Sequence, residues 1–186
     1  MQTVEHWRDK IDLPGLLLGL GEDLEREGLQ ETPNRVHHAW EEMLRGYSMD
    51  PEEILAKTFE LDRDLQSGIQ ITKGIHFTSI CEHHLIPFFG TIKIAYEAKE
   101  RVVGLSKLAR LAECYACRLQ LQERLTNQIL DDIVSQLQPL SAMVVIDGMH
   151  LCCVGRGVRQ KDMHFVTSNY WGEISPMMLH LLALDN

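Results

Sequence analysis

The chain has 186 residues, 45% of them hydrophobic and 24% charged, with a formal net charge of −9. That length and composition suit one α+β core with a small helical lobe attached, and supply enough apolar side chain for a real interior. The acidic balance argues against a nucleic-acid partner. No apolar run reaches bilayer-spanning length and the polar stretch Met1–Lys10 lacks a signal-peptide pattern, so the expected setting is the cytoplasm, with no membrane partner. Five cysteines, an odd number, speak against a disulfide framework. Metal ligation, a reactive thiol and buried packing remain open for them.

The first third reads as helical. Leu13–Arg26 holds an apolar run, Leu16-Leu17-Leu18, broken by Gly15, Gly19 and Gly21, which fits a short helix. Thr32 is a suitable N-cap with Pro33 at the first helical position. Val36, Trp40, Met43 and Leu44 then recur at helical spacing, with Gly46 as the stop. Asp50-Pro51-Glu52-Glu53 repeats the start signal for a shorter helix. A boundary between an N-terminal helical region, 1–64, and a core, 65–186, is expected here.

Beyond it the period changes. Ile69, Ile71, Ile75 and Phe77 occupy odd positions, interrupted by Lys73 and Gly74, and from Phe88 to Tyr96 the apolar set moves to even positions. Two adjacent strands joined by a loop over Cys81–Pro87 fit this pattern. Ser106 reads as the cap of a helix to about Arg118. A second helix, from about Leu121, carries the stripe Leu125, Ile129, Ile133, Leu137 and is stopped by Pro139. Ala142–Val154 and Met163–Trp171 read as strands, and Ile174–Leu184 as a final helix. Paired strands separated by paired helices point to α+β with an antiparallel sheet.

Chemistry concentrates at Cys81-Glu82-His83-His84. Thiolate and imidazole are the donors zinc prefers, and a spacing of three lets one tight turn aim Cys81 and His84 at a single ion. His150-Leu151-Cys152-Cys153 is the candidate second segment. If it is a strand, His150 and Cys152 share a face and Cys153 points away into the core. Cys81, His84 and Cys152 would form a Cys2His set with a fourth position open to water, the pattern of a catalytic zinc. Buried packing is the competing reading for the cysteine pair, and it is preferred for Cys114 and Cys117, which fall inside a helix without a second pair nearby. Lys107 and Arg110 open a helix on one face, and Arg156, Arg159 and Lys161 follow Cys152. This is either a cradle for a polyanion or a solvated surface. In Gln122-Glu123, an amide and a carboxylate can together read a guanine edge, or simply face water.

Five motifs in order then resemble one family, GTP cyclohydrolase I: Gly28-Leu29-Gln30-Glu31-Thr32-Pro33-Asn34-Arg35, Ser79-Ile80-Cys81-Glu82-His83-His84, Gly104-Leu105-Ser106-Lys107-Leu108-Ala109-Arg110, Gln122-Glu123-Arg124-Leu125-Thr126 and His150-Leu151-Cys152-Cys153-Val154-Gly155-Arg156-Gly157-Val158. The resemblance runs from roughly residue 15 to 172. It implies the tunnelling fold, with subunit sheets joined into a multimeric barrel, and a homo-oligomer that is a decamer of two pentamers. It implies Zn2+ held by Cys81, His84 and Cys152, and GTP as substrate. His83 would be the acid/base at the imidazole ring, with His150 and Ser106 serving later proton transfers. Gln122 and Glu123 would hold the guanine, Lys107, Arg110 and Arg156 the triphosphate, and Glu82 would join the substrate-binding set. The products would be formate and 7,8-dihydroneopterin triphosphate, at the entry to pterin and folate synthesis. Met163-His164-Phe165 is bulkier than the small hydroxyl run the family carries before Thr167-Ser168. Two other readings fit the same residues: a paralogue that acts on another purine nucleotide or stops at a ring-opened intermediate, and a non-catalytic zinc-stabilised module.

Overall fold

The structure, a computed structural model, describes residues 10–62, 64 and 68–184. The stretch 1–9, read above as free of a signal pattern, lies outside the described residues, and so does 65–67, where the boundary after residue 64 was expected.

Short helices dominate the N-terminal part: α1 (Leu13–Gly19), α2 (Glu27–Gln30), α3 (Thr32–Met43), a 3-10 turn at Arg45–Ser48, and α4 (Pro51–Leu55). Thr32 is not the N-cap of α3 but its first residue. The turn of α2 runs almost directly into α3, so the Thr32 hydroxyl donates back to the Gly28 carbonyl at 3.1 Å. Gly46 does not end the segment either; it sits buried in the 3-10 turn, where a Cβ would lie 2.3 Å from the Cys114 carbonyl oxygen. Asp50 does cap α4, accepting from the Glu52 amide at 2.9 Å, with Pro51 in the first turn.

The core follows as β1 (Thr58–Glu60), β2 (Ile69–Cys81), β3 (Ile86–Glu97), β4 (Arg101–Val103), α5 (Leu105–Ala116), β5 (Leu119–Gln120), α6 (Gln122–Leu137), β6 (Ser141–His150), α7 (Leu151–Val154), β7 (Phe165–Gly172) and α8 (Pro176–Ala183). The main sheet has the order β5-β2-β3-β6-β7, antiparallel except for the short β5–β2 pair. β1 and β4 form a separate antiparallel ribbon. The expected α+β class with an antiparallel sheet holds. The three short strands β1, β4 and β5 went unforeseen because two or three residues carry no readable period.

Helices α5 and α6 cover one face. Leu125, Ile129, Ile133 and Leu137 are all buried against strand residues such as Phe77, Ile92, Ile94, Val144 and Ile146. Each fully buried side chain of this kind contributes about 1.5–3 kcal/mol. Gln138, in the left-handed region at φ 47°, ends α6 just before Pro139. The cap of α5 is Gly104, not Ser106, which lies exposed in the first turn, and the helix stops at Ala116.

The apolar residues of β2 do not line one face. A bulge between Thr72 and Ile75 adds one residue and reverses the side-chain alternation. Ile69 and Ile71 therefore pack with Ala95, Met143, Met178 and Leu182 beneath α8, while Ile75 and Phe77 enter the main core. Lys73 and Lys93 fix α8 by donating to the Leu184 and Leu182 carbonyls at 2.7 and 3.1 Å, where a helix C-terminus leaves acceptors unpaired.

Candidate functional site

Cys81 is the last residue of β2, and the four residues Glu82–Leu85 turn the chain back into β3. The Cys81 carbonyl accepts from the His84 and Leu85 amides at 3.3 and 2.8 Å. Leu85 takes the left-handed conformation, φ 53°, that so tight a turn requires of it. This winding brings a ring nitrogen of His84 within 4.8 Å of the Cys81 thiol. The Glu82 amide donates to the Gln120 carbonyl at 3.0 Å, which ties the turn to β5.

The third member comes from a different geometry than the sequence implied. The expected strand over Ala142–Val154 stops at His150, and Leu151–Val154 coil into the single helical turn α7. Strand alternation therefore does not govern Cys152 and Cys153: Cys152 is buried and Cys153 is only half-buried, packed on the rim of the core. The helical turn nonetheless delivers Cys152 to the right place. One ligand atom from each of Cys81, His84 and Cys152 lies within 4.8 Å of the other two.

Two thiols and an imidazole this close make a donor set for a transition-metal ion. Burial, reinforced by the neighbouring Cys81 and Cys153, pushes the Cys152 thiol up to about 11. Two thiolates side by side in an apolar setting repel each other, and a divalent cation reverses that cost by binding both in deprotonated form. The residues present therefore fit a metal ion.

Around the triad, His83 is exposed, its ring at 80° to that of His84 with centroids 6.1 Å apart. Glu82 forms a two-pronged ion pair with Arg124, at 2.5 and 3.0 Å, joining the turn to the first turn of α6. Arg124 holds the Glu82 carboxyl below the ordinary carboxylate range. His150 lies across from Phe88 in the β3–β6 pairing, and the two rings stack with centroids 4.4 Å apart and planes 6° apart. Burial lowers the His150 pKa, opposed in part by Glu123.

The remaining candidates divide sharply. Gln122 is buried, and its amide bonds to groups of its own chain: Nε2 lies 3.1 Å from the Ile146 carbonyl, 2.7 Å from that of Phe165 and 3.2 Å from Thr167 Oγ1, while Oε1 meets His150 Nε2 at 3.0 Å. Glu123, its neighbour on α6, is exposed. Ser106, Arg110 and Arg156 are exposed and Lys107 is half-exposed. Arg110 lines a cleft of about 700 Å³ with Arg45, His76, Thr78 and Glu113, and the triad is not part of that cleft. Cys114 and Cys117 are buried, and burial raises both thiols, in line with their reading as packing residues. In sequence, Arg124 and Thr167 are motif positions without a legible role, and Phe88 only a strand residue. Their parts depend on strand register and on the turn at Glu82, neither of which a linear motif encodes.

Fold and site together define an α+β protein whose main sheet ends in a Cys2His cluster, two buried thiols and an exposed imidazole, flanked by two further histidines. The model of one family, described as GTP cyclohydrolase I, matches residues 12–179. The chain is 47% identical over 172 residues to the GTP cyclohydrolase 1 of Janthinobacterium sp. strain Marseille, covering 92% of this chain and 83% of that one. It is 47% identical to the GTP cyclohydrolase 1 of Clostridium perfringens, covering 89% of each, and 48% identical to that of Wolinella succinogenes, covering 80% and 79%. The chain belongs to the GTP cyclohydrolase I family.

Proposed function

We propose that this chain is a zinc-dependent GTP cyclohydrolase that opens the imidazole ring of GTP at C8, releases formate and yields 7,8-dihydroneopterin triphosphate, the entry to pterin and folate synthesis. The observation that carries the reading is the convergence of Cys81, His84 and Cys152 within 4.8 Å, from segments some seventy residues apart.

These three side chains would hold the zinc ion, which when bound supplies Lewis acidity for activating water. C8 lies between two ring nitrogens, and protonating one of them makes that carbon electrophilic. An imidazole, with an unperturbed pKa of about 6.5, suits that proton transfer. His83, exposed beside the triad, is assigned it. His150 and Ser106 are assigned the later proton transfers of ribose opening and ring rebuilding. Glu123 faces solvent with its carboxylate free to accept from guanine N–H groups, with Gln122 behind it. Lys107, Arg110 and Arg156 supply cationic donors for the triphosphate. Glu82, oriented by Arg124, stays in the substrate-binding set.

A homo-oligomer, a decamer of two pentamers built on the tunnelling fold, completes the reading. Two features support assembly. Along β2, only Ile80 and Cys81 pair with β5 among the described residues, and the opposite edge strand, β7, exposes Phe165, Val166, Tyr170 and Trp171. Open edges with apolar side chains invite strand pairing with another copy. No helix among the described residues is long and apolar enough to cross a membrane, and we place the protein in the cytoplasm.

The His83→Ala variant tests the mechanism. It is expected to keep its metal and lose pterin formation by at least the roughly 100–10,000-fold that a general acid–base contributes. Full activity in that variant would remove His83 from the chemistry.

A further inference from the structure

Gln122 is the most heavily committed polar side chain near the site. It is 1% exposed, yet all of its amide is used inside the chain. Its NH2 group faces three acceptors: the Ile146 carbonyl on β6, the Phe165 carbonyl on β7 and Thr167 Oγ1. Its oxygen faces a ring nitrogen, His150 Nε2, at 3.0 Å. The reverse orientation of the amide would set Oε1 against two carbonyl oxygens, with no donor to meet it from either. The backbone therefore decides which end of the amide is which.

The surrounding hydroxyls agree with that polarity. Thr126 Oγ1 donates to the main-chain carbonyl of Gln122 at 2.8 Å. Thr167 Oγ1 lies 2.7 Å from Thr126 Oγ1 and donates to it, which leaves the Thr167 oxygen free to accept from Gln122. Every group then has a partner of the right sign, the condition under which a buried polar network is rigid. Gly148 makes room for it: a Cβ there would lie 2.3 Å from Gln122 Oε1.

The consequence falls on His150. An oxygen only accepts, so the ring nitrogen facing it must carry a hydrogen. We infer that Gln122 is a positioning residue that fixes His150 as the tautomer protonated on Nε2 and thereby leaves Nδ1 as the ring's proton acceptor. Stacking on Phe88 and the edge contact with Phe165, at 4.4 and 6.0 Å between centroids, hold the plane of the ring; the Gln122 contact holds its rotation within that plane. This assigns Gln122 a part distinct from contact with guanine. It also gives the bulky Phe165 a use: its carbonyl orients the amide and its ring borders the histidine. The inference rests on the proposed role of His150 only for its effect on turnover, not for the tautomer itself.

The test combines histidine 15N solid-state NMR on the zinc-loaded chain with steady-state kinetics on GTP. His150 is assigned by the loss of its signals in a His150→Asn variant. In the wild-type chain the His150 nitrogen bearing hydrogen is expected to be Nε2. In Gln122→Met, which keeps the volume but loses the amide, a mixture of tautomers is expected. That variant's kcat is expected to fall about 10–100-fold, the usual cost of losing a partner that orients a functional histidine, with KM within about twofold and zinc content unchanged. Gly148→Ala, which crowds the amide from the other side, is expected to repeat the effect if Gln122→Met does not fold. A hydrogen on Nδ1 in the wild-type chain would overturn the inference. So would a Gln122→Met variant with a raised KM, an unchanged kcat and the same tautomer, since that marks a substrate ligand. Failure of the wild-type chain to turn over GTP would strike the proposed function while leaving the tautomer readout to judge Gln122 separately.

Discussion

At the scale of single residues, the centre is set by where three side chains end up rather than by what surrounds them in sequence. Cys81 and His84 were legible because a spacing of three within one turn needs no tertiary knowledge. Cys152 was also recognised, although strand alternation was the wrong geometry for it; a helical turn after β6 is what brings it to the other two. The Gln122 contacts could not be read at all, because they join α6 to β6 and β7 across register that no local pattern states. Changing a ligand should act on the metal first. Cys152→Ser is expected to lower bound zinc far below one per chain, and to cost more turnover than the roughly 10–100-fold attached to an outer partner. Elemental analysis alongside product formation checks this, and full zinc occupancy in that variant would contradict it.

At the scale of elements, α5 and α6 meet through a half-buried polar contact as well as through the core. Tyr115 on α5 donates to Asp132 on α6 at 2.5 Å, and the Arg118 guanidinium lies 4.7 Å from the Tyr115 ring centre. Arg118 also donates to the Gly46 carbonyl at 3.0 Å and so ties the N-terminal helices to the core. Burial raises the Asp132 pKa, only partly offset by the Tyr115 hydrogen bond. A folded pKa above the unfolded value means that protonation favours the folded state. The associated stability is complete below the ordinary carboxylate range, near pH 4, and is lost as pH rises through the folded pKa. Asp132→Asn keeps an acceptor for Tyr115 without the charge. It is therefore expected to be at least as stable as wild type at pH 7, with the advantage vanishing below about pH 4. Urea midpoints at the two pH values decide it, and a clear loss of stability at pH 7 would show that the ionic hydrogen bond outweighs desolvation. The long amphipathic stripe of α6 and the alternation in β3 were plain in the sequence. The bulge in β2 was marked only by Lys73-Gly74, and its effect, moving odd residues from one face of the sheet to the other, follows from pairing with β3.

At the scale of the whole molecule, one chain brings together Cys81, His84 and Cys152 beside His83 and His150 but leaves apolar surface uncovered. Leu16, Leu18 and Leu20 at α1, and Tyr170 and Trp171 on β7, are more than half exposed, and among the described residues β7 is the edge strand of the main sheet. Surfaces of this kind mark interaction sites, the property the proposed assembly draws on, and sequence periodicity records them only as apolar positions without saying what they face. The proposed decamer would have ten times the 21.3 kDa chain mass, and a substrate site shared between chains would explain why Arg110, Glu123 and Arg156 stand open to solvent here and Lys107 is half-exposed. The most direct measurement is incubation of the zinc-loaded assembly with GTP, with formate and pterin quantified together. Equal amounts of the two, lost on chelation and restored by zinc, are predicted. A fully metallated assembly that binds GTP and releases no formate would contradict the account.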